Sequence, residues 1–191
     1  MSSNPLPAHT QSRAIRATPG DGRESRHLLV ALVRNKPGVL NRVASLLRAR
    51  DFNIESLSVN HTDRPDLSRM TIAIVGDDVA VEQAAKQLYR LIDVLKVRDV
   101  SGETVIDHEI ALIKVRANAG KRSEVLRILE GHRALVADLA ANSIVVEATG
   151  SEAQIDELIA LLRGFGIAEL VRSGAVVMSR GSGSVEEDVK W

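Results

Sequence analysis

The chain has 191 residues, enough for one medium domain or two small ones, and 45% of them are hydrophobic, which suffices for a packed core. Its 25 basic and 25 acidic residues give a formal net charge of zero, so the net charge does not indicate a nucleic-acid or membrane partner. The absence of cysteine excludes disulfides, thiolate chemistry and cysteine-ligated metals, and it fits a cytoplasmic protein.

Residues 1–26 carry three of the five prolines among scattered serine, arginine and glycine, without hydrophobic periodicity. We expect a disordered N-terminal tail there. A Ser/Arg-rich targeting peptide is the alternative, but Asp21, Glu24 and the prolines argue against the amphipathic helix that it needs. No signal-peptide core is present, and no apolar run approaches the ~20 residues of a membrane-spanning helix.

From residue 27 the hydrophobic pattern becomes regular, and residues 27–102 are predicted to form one βαββαβ unit. A bulge near Glu55 and Ser56 explains why the alternation changes phase in the second strand. Asp78 is the predicted N-cap of the second helix. The predicted elements are a strand at 28–33, a helix from 39, strands at 52–59 and 70–76, a helix over 81–92, and a strand at 94–100.

Residues 103–180 repeat this order with a different sequence. Ser151 and Gln154 form a predicted capping box. The predicted elements are a strand at 110–115, a helix ending near Gly131, a hairpin of 134–139 and 144–148 turned at 141–143, the capped helix, and strands at 167–171 and 175–178. The fold class is therefore α+β, with two tandem ferredoxin-like units, and residues 181–191 are expected to form a mobile tail.

The junction at residues 34–43 (RNKPGVLNRV) has the features of a turn that can hold a carboxylate. Pro37 suits a helix entry because its φ is fixed and it has no N–H to satisfy. Gly38 lacks a Cβ, so a ligand can approach the backbone closely. The amides of Gly38, Val39 and Leu40 are orphan donors at a helix N-terminus, where the macrodipole favours an anion.

Two asparagines add polar groups on either side of this helix. Asn35 precedes the turn and Asn53 opens the following strand, and each can offer a carbonyl oxygen to an ammonium or an NH₂ group to a carboxylate. The combination favours a site for a free amino acid. The same Asn-Lys-Pro-Gly sequence also makes a good turn without any ligand.

The sequence does not support a catalytic site or a metal-binding site. The five histidines have no spacing suited to shared metal ligation. His61 and His108 follow predicted strands and are interpreted as residues at the solvent edge. Residues 120–122 (GKR) open a predicted helix and could bind an anion, but a solvated helix start is the explanation that we favour. No nucleophile lies beside a general base in a recognisable motif, so we expect no catalytic residues.

Residues 28–100 resemble an ACT domain, a small module that binds amino acids. Four segments further resemble the regulatory (small) subunit of acetolactate synthase, also called acetohydroxyacid synthase: 53–57 (NIESL), 67–72 (LSRMTI), 82–88 (EQAAKQL) and 91–94 (LIDV). Residues 109–115 (EIALIKV) and 172–181 are similar to that subunit's C-terminal domain. The resemblance covers about residues 27–181, with several motifs in the same order.

This resemblance implies that an effector site lies between two ACT domains, so the chain should form a homodimer. The site residues that it implies are Asn35, Gly38, Val39, Leu40, Asn53 and Ile54. It implies valine as effector, possibly isoleucine or leucine, in branched-chain amino acid biosynthesis. The implied partner is the catalytic (large) subunit, which carries thiamine diphosphate, Mg²⁺ and FAD, whereas this chain needs no cofactor.

The expected function is therefore a cytoplasmic regulatory subunit that activates the catalytic subunit and conveys feedback inhibition by valine. The alternative is a stand-alone amino-acid sensor or transcriptional regulator, but neither tail has a helix-turn-helix pattern or a basic helix. The second unit lacks the loop motif, because Asn118-Ala119-Gly120-Lys121 contains no proline. We expect that unit to contact the catalytic subunit or to support the dimer.

Overall fold

The computed structural model describes residues 25–181 and 184 of the chain. The expectations for a disordered tail at 1–24 and for most of the C-terminal tail lie outside these residues. The first unit consists of β1 (Ser25–Arg34), α1 (Val39–Arg48), β2 (Asn53–His61), β3 (Leu67–Gly76), α2 (Asp78–Leu88) and β4 (Val94–Asp99). Its first strand begins two residues before the predicted domain boundary at 27.

The four strands of the first unit form an antiparallel sheet in the order β2-β3-β1-β4. One face of β1 packs against both helices, and Leu29, Val43 and Leu88 are fully buried in this core. The register between β2 and β3 shifts between Ile54 and Ser56, which confirms the predicted bulge. The helical spacing of Val39, Val43 and Leu47 produces the buried stripe of α1.

The second unit has the same plan, with the strand order β6-β7-β5-β8. Its elements are β5 (Val105–Arg116), α3 (Arg122–Gly131), β6 (Leu135–Leu139), β7 (Ser143–Gly150), α4 (Glu152–Leu162) and β8 (Ile167–Arg172), followed by β9 (Val176–Ser179). The predicted capping box of Ser151 and Gln154 is present at the start of α4. Two βαββαβ units thus confirm the predicted α+β fold class.

A two-stranded ribbon that the sequence did not predict covers the outer face of the first sheet. The first four residues of β5 pair with β9, so β5 starts five residues earlier than predicted. Val177 packs with Leu28 and Val30 of β1 and with Ala73 of β3. Arg69 of β3 also donates a hydrogen bond to the carbonyl oxygen of Val177, at 2.7 Å. The last strand of the second unit therefore completes the packing of the first.

The N-cap of α2 differs from the sequence prediction. Asp77, and not Asp78, has the extended backbone of a cap, and its carboxylate accepts a hydrogen bond from Ala80 N at 2.7 Å. Asp78 is the first helical residue. Two neighbouring aspartates can both serve in principle, and the end of β3 at Gly76 decides between them because it sets where the chain turns.

We expect Asp77→Ala to lower the free energy of unfolding by about 1 kcal/mol, because an orphan amide of α2 loses its acceptor. Asp78→Ala is the matched control. It removes only a favourable charge near the helix N-terminus and should cost a few tenths of a kcal/mol. Urea unfolding measures both variants. Equal losses for the two would contradict the assignment of the cap.

Candidate functional site

The loop between β1 and α1 is fixed to the β2–β3 turn. Asn35 N donates a hydrogen bond to the carbonyl oxygen of Asp66 at 2.7 Å, and the Asn35 side-chain nitrogen donates to the carbonyl oxygen of Pro65 at 3.0 Å. The same side-chain nitrogen lies 3.3 Å from His61 Nδ1 at the end of β2. The loop is thereby held in place by the chain, independently of any ligand.

Gly38 is the N-cap of α1 and has a φ of +84°, a conformation that side chains disfavour. Val39 is buried in the core, whereas 43% of the Leu40 side chain and backbone surface is exposed. Among the described residues, the amides of Gly38 and Leu40 have no backbone acceptor. The third predicted donor, the Val39 amide, is not open, because it donates to the carbonyl oxygen of Lys36 at 3.4 Å and so closes the turn before the helix. Two of the three predicted donors are thus open at the start of α1.

Arg42 places a guanidinium beside this helix start. A Cβ built on Gly38 would lie 3.4 Å from Arg42 Nη1. Arg42 Nη2 donates a hydrogen bond to the carboxylate of Asp93, whose side chain is 11% exposed. The Asp93 carbonyl oxygen accepts a hydrogen bond from Arg34 N at 2.8 Å. Asp93 therefore orients the cation, and both residues were missed by sequence reasoning.

The i+4 spacing of Arg42 from Gly38 could have suggested that it reaches the helix start, because residues four apart lie on one helix face. Asp93 gave no such signal, because its approach depends on the fold.

Asn53 and Ile54 lie far from the loop within one chain. Asn53 is paired with Val75 of β3, and Val75 is paired with Arg26 near the start of β1. Asn35, in contrast, follows Arg34, which is paired with Leu67. Positions 67 and 75 of β3 are about 26 Å apart at ~3.3 Å per residue. The structure brings together Asn35, Gly38, Val39 and Leu40, and it places Asn53 and Ile54 at the opposite end of the sheet.

A polar cleft of about 430 Å³ separates the two units. Arg26 contacts Glu55 at 2.8 Å and Glu152 at 3.0 Å, so it connects β2 to α4. On the other side, Arg172 binds the buried carboxylate of Glu109 and also Asp156. The hydrogen bond to Glu109 is the main cause that raises the pKa of Arg172. The charged groups named here pair with one another, which makes the cleft a junction between the units.

The described part of the chain contains neither a cluster of metal ligands nor a membrane-spanning helix. Between residues 25 and 181, no three histidine, cysteine, aspartate or glutamate side chains are grouped so that they could hold a metal ion. No helix in the same region is long and apolar enough to cross a membrane.

The arrangement of helices, strands and the glycine-containing loop defines the first unit as an ACT-type domain, and comparison with known families agrees. Residues 29–96 match the family described as "AHAS small subunit-like ACT domain", and residues 108–181 match "Small subunit of acetolactate synthase". The chain belongs to the acetolactate synthase small subunit family.

Individual relatives support this assignment along most of the chain. The acetolactate synthase small subunit of Aquifex aeolicus is 44% identical over 93% of this chain and 91% of its own length. The acetolactate synthase small subunit of Mycobacterium bovis is 47% identical over 81% of this chain and 92% of its own length. The crystal structure of the acetolactate synthase small subunit from Thermotoga maritima superposes with a TM-score of 0.77, at 37% identity, covering 83% of this chain and 99% of that one.

Proposed function

We propose that this chain is a regulatory subunit that activates the acetolactate synthase catalytic subunit and conveys feedback inhibition by valine. Membership in the small-subunit family supports a role as a non-catalytic partner of that subunit. In this proposal the catalytic subunit carries thiamine diphosphate, Mg²⁺ and FAD, and the complex works in the cytoplasm. Isoleucine and leucine are the other effectors to test.

The observation that carries the effector site is the position of β2 at the edge of the first sheet. In an antiparallel pair of two β2 strands centred on Leu57, Asn53 of one copy lies opposite His61 of the other. His61 in turn lies 3.3 Å from the side chain of Asn35 in its own chain. A homodimer of this kind therefore joins the two halves of the predicted site, and it does so twice because of its two-fold symmetry.

The groups at this junction suit the two ends of a free amino acid. The open amides of Gly38 and Leu40, with Arg42 beside them, favour a carboxylate. The side-chain carbonyl oxygen of Asn53 from the second copy can accept a hydrogen bond from the ammonium. Exposed Leu40 and half-buried Ile54 offer an apolar surface for a branched side chain.

Inhibition would then be a population shift. Valine must bind more tightly to the dimer state that holds the catalytic subunit in its less active form. The Arg26 bridge connects β2, which carries Asn53 and Ile54, to α4 of the second unit. It is a physical connection through which occupancy of the site can alter the relation between the two units.

The test mixes two variants, Gly38→Asp, which damages the loop, and Asn53→Ala, which damages the strand. Each variant alone should lose valine binding in calorimetry. After unfolding and refolding together, each mixed dimer should regain one intact site of two, because the loop of one copy and the strand of the other remain unaltered.

Circular dichroism and sedimentation control for folding and dimerisation of each sample. A mixture that binds no valine, although mixed dimers have formed, would show that the two groups do not share a site. A wild-type dimer that binds none of valine, leucine or isoleucine would refute the effector assignment itself.

A further inference from the structure

The two units are joined at a waist, which we define as residues 109–110 and 172–175, where the chain crosses twice between the sheets. The first four residues of β5 belong to the ribbon on the first sheet, and the rest of β5 belongs to the second sheet. The return crossing leads from β8 into β9. Ser173 N donates to the Ile110 carbonyl oxygen at 3.0 Å, and the Ser173 hydroxyl accepts from Ile110 N at 3.0 Å. The two crossings are therefore held together.

The waist is also fixed by paired charges that connect it to α4. Arg172 binds the carboxylate of Glu109, which is only 6% exposed, and its other terminal nitrogen lies 2.7 Å from Asp156 of α4. Separating the partners of a buried ion pair is strongly unfavourable, because it leaves an uncompensated buried charge. A displacement of the waist is therefore passed on to α4.

The waist meets the first unit where Gly174 approaches the bulge of β2. Gly174 has a φ of +74°, and a Cβ built on it would lie 3.2 Å from Ser56 Cβ and 3.4 Å from Ser56 Oγ. Carbon atoms in favourable contact are about 3.5–4.0 Å apart. The turn can lie against Ser56 because residue 174 has no side chain. Ser56 follows the register shift of β2, two residues after Ile54 of the proposed effector site.

A second contact connects the same bulge to the same helix. Glu55 lies 2.8 Å from Arg26, and another nitrogen of Arg26 lies 3.0 Å from Glu152 in the first turn of α4. Asp156, which the waist contacts, follows Glu152 by four residues, so the two acids lie on one face of the helix. The β2 bulge thus reaches one face of α4 by two routes, one through an ion pair and one through close packing.

The polar cleft between the units gives these contacts room to move. Its volume is about 430 Å³, and its lining includes Arg26, Ser56, Glu152 and Gly174. Close-packed protein interiors have few such spaces, and they resist small shifts of one element against another. Open volume beside both routes therefore allows α4 to change its position relative to β2 without a clash.

We infer that α4 receives the state of the effector site through these two routes, with Gly174 as the positioning residue that sets the distance between β2 and the waist. The inference rests on the proposed function, since that function supplies the effector and the inhibition. Valine held by Asn53 and Ile54 displaces the adjoining bulge. The bulge then moves α4 through Gly174 and through Arg26. Valine affinity depends on the site itself, whereas the extent of inhibition depends also on the two routes.

The experiment compares valine binding, by calorimetry of the full-length dimer, with valine inhibition of the reconstituted complex. Gly174→Ala should bind valine within about threefold of the wild type, but saturating valine should inhibit its complex less than about half as much. Gly181→Ala is the matched control. Gly181 has a φ of +80°, and no described atom lies within 4 Å of a Cβ built there. This variant carries similar backbone strain and should be inhibited as the wild type is.

A rescue variant separates the contact from the strain. Ser56→Gly, added to Gly174→Ala, removes the atom that the new Cβ would meet, although the strain at residue 174 remains. The double variant should regain most of the inhibition. Circular dichroism and the dimer mass are recorded for every variant, so that a folding defect is recognised.

Arg26→Gln tests the second route and should reduce the extent of inhibition in the same way, because it breaks the connection from Glu55 to Glu152. Arg50→Gln is its control for charge. Arg50 is exposed beyond the end of α1 and has no ion pair among the described residues.

Inhibition of Gly174→Ala and Arg26→Gln to the wild-type extent would overturn the inference. Equal losses in Gly174→Ala and Gly181→Ala, or no rescue by Ser56→Gly, would assign the effect to backbone strain and overturn it as well. Loss of valine binding in Gly174→Ala would make that residue part of the binding site, which also contradicts the inference. A wild-type complex that valine does not inhibit would instead refute the proposed function.

Discussion

A Gly38→Asp variant is expected to activate the catalytic subunit as the wild type does and to lose its sensitivity to valine. The new carboxylate would stand beside Arg42, where a Cβ on residue 38 is 3.4 Å from Nη1, and would take the place of the ligand's carboxylate. We expect valine affinity to fall about 100-fold, or roughly 3 kcal/mol. The assay is activity of the reconstituted enzyme as a function of valine concentration.

Gly38→Asn is the matched control for charge. Asparagine has nearly the shape of aspartate and tolerates the positive φ of +84° at this position better than most residues. Because the two side chains have nearly the same shape, any change in α1 should be similar in the two variants. The asparagine variant should lose less affinity than the aspartate variant. Full valine sensitivity of Gly38→Asp would place the effector site elsewhere.

Val177→Asp is expected to have the largest effect on stability. Val177 is 1% exposed and packs against Leu28 and Val30 on the outer face of the first sheet. An unpaired carboxylate there should lower the free energy of unfolding by about 3 kcal/mol or more. Although the substitution lies in the second unit, thermal unfolding should show that the first unit is destabilised.

Met178→Asp is the control for this variant, because Met178 is the next residue of β9 and is 65% exposed on the opposite side. It should leave the melting temperature nearly unchanged. The two neighbouring substitutions thus separate the buried side of the ribbon from its exposed side. A Val177→Asp variant as stable as the wild type would show that the ribbon contributes little to the first unit.

The order of elements was predictable because its signals are local. The spacing of Val39, Val43 and Leu47 marks a helix face, and the phase change at Glu55 marks a bulge. The ribbon was not predictable in this way. Its strands are short, and β9 pairs with β5 across a large separation in sequence, so no periodicity within either segment indicates the contact.

The candidate site shows the same division between local and long-range information. The turn chemistry of Gly38 follows from its sequence and agrees with its positive φ. Asn35 and Asn53 lie at opposite ends of the sheet. This follows only from the register of β3 with β1 and with β2, which the sequence does not reveal. The approach of Asp93 to Arg42 also needs the folded chain, because it joins the start of β4 to α1.

The ribbon has a consequence for the order in which the chain matures during synthesis. Leu28, Val30 and Ala73 leave the ribosome before Val177, which covers them and follows Ala73 by 104 residues in the sequence. At a translation rate of roughly 5–20 residues per second, their apolar surface stays exposed for on the order of ten seconds before Val177 can pack against it. A nascent first unit is therefore a natural client for a chaperone. A premature stop shortly before β9 would therefore destabilise the first unit, although that unit had already been translated.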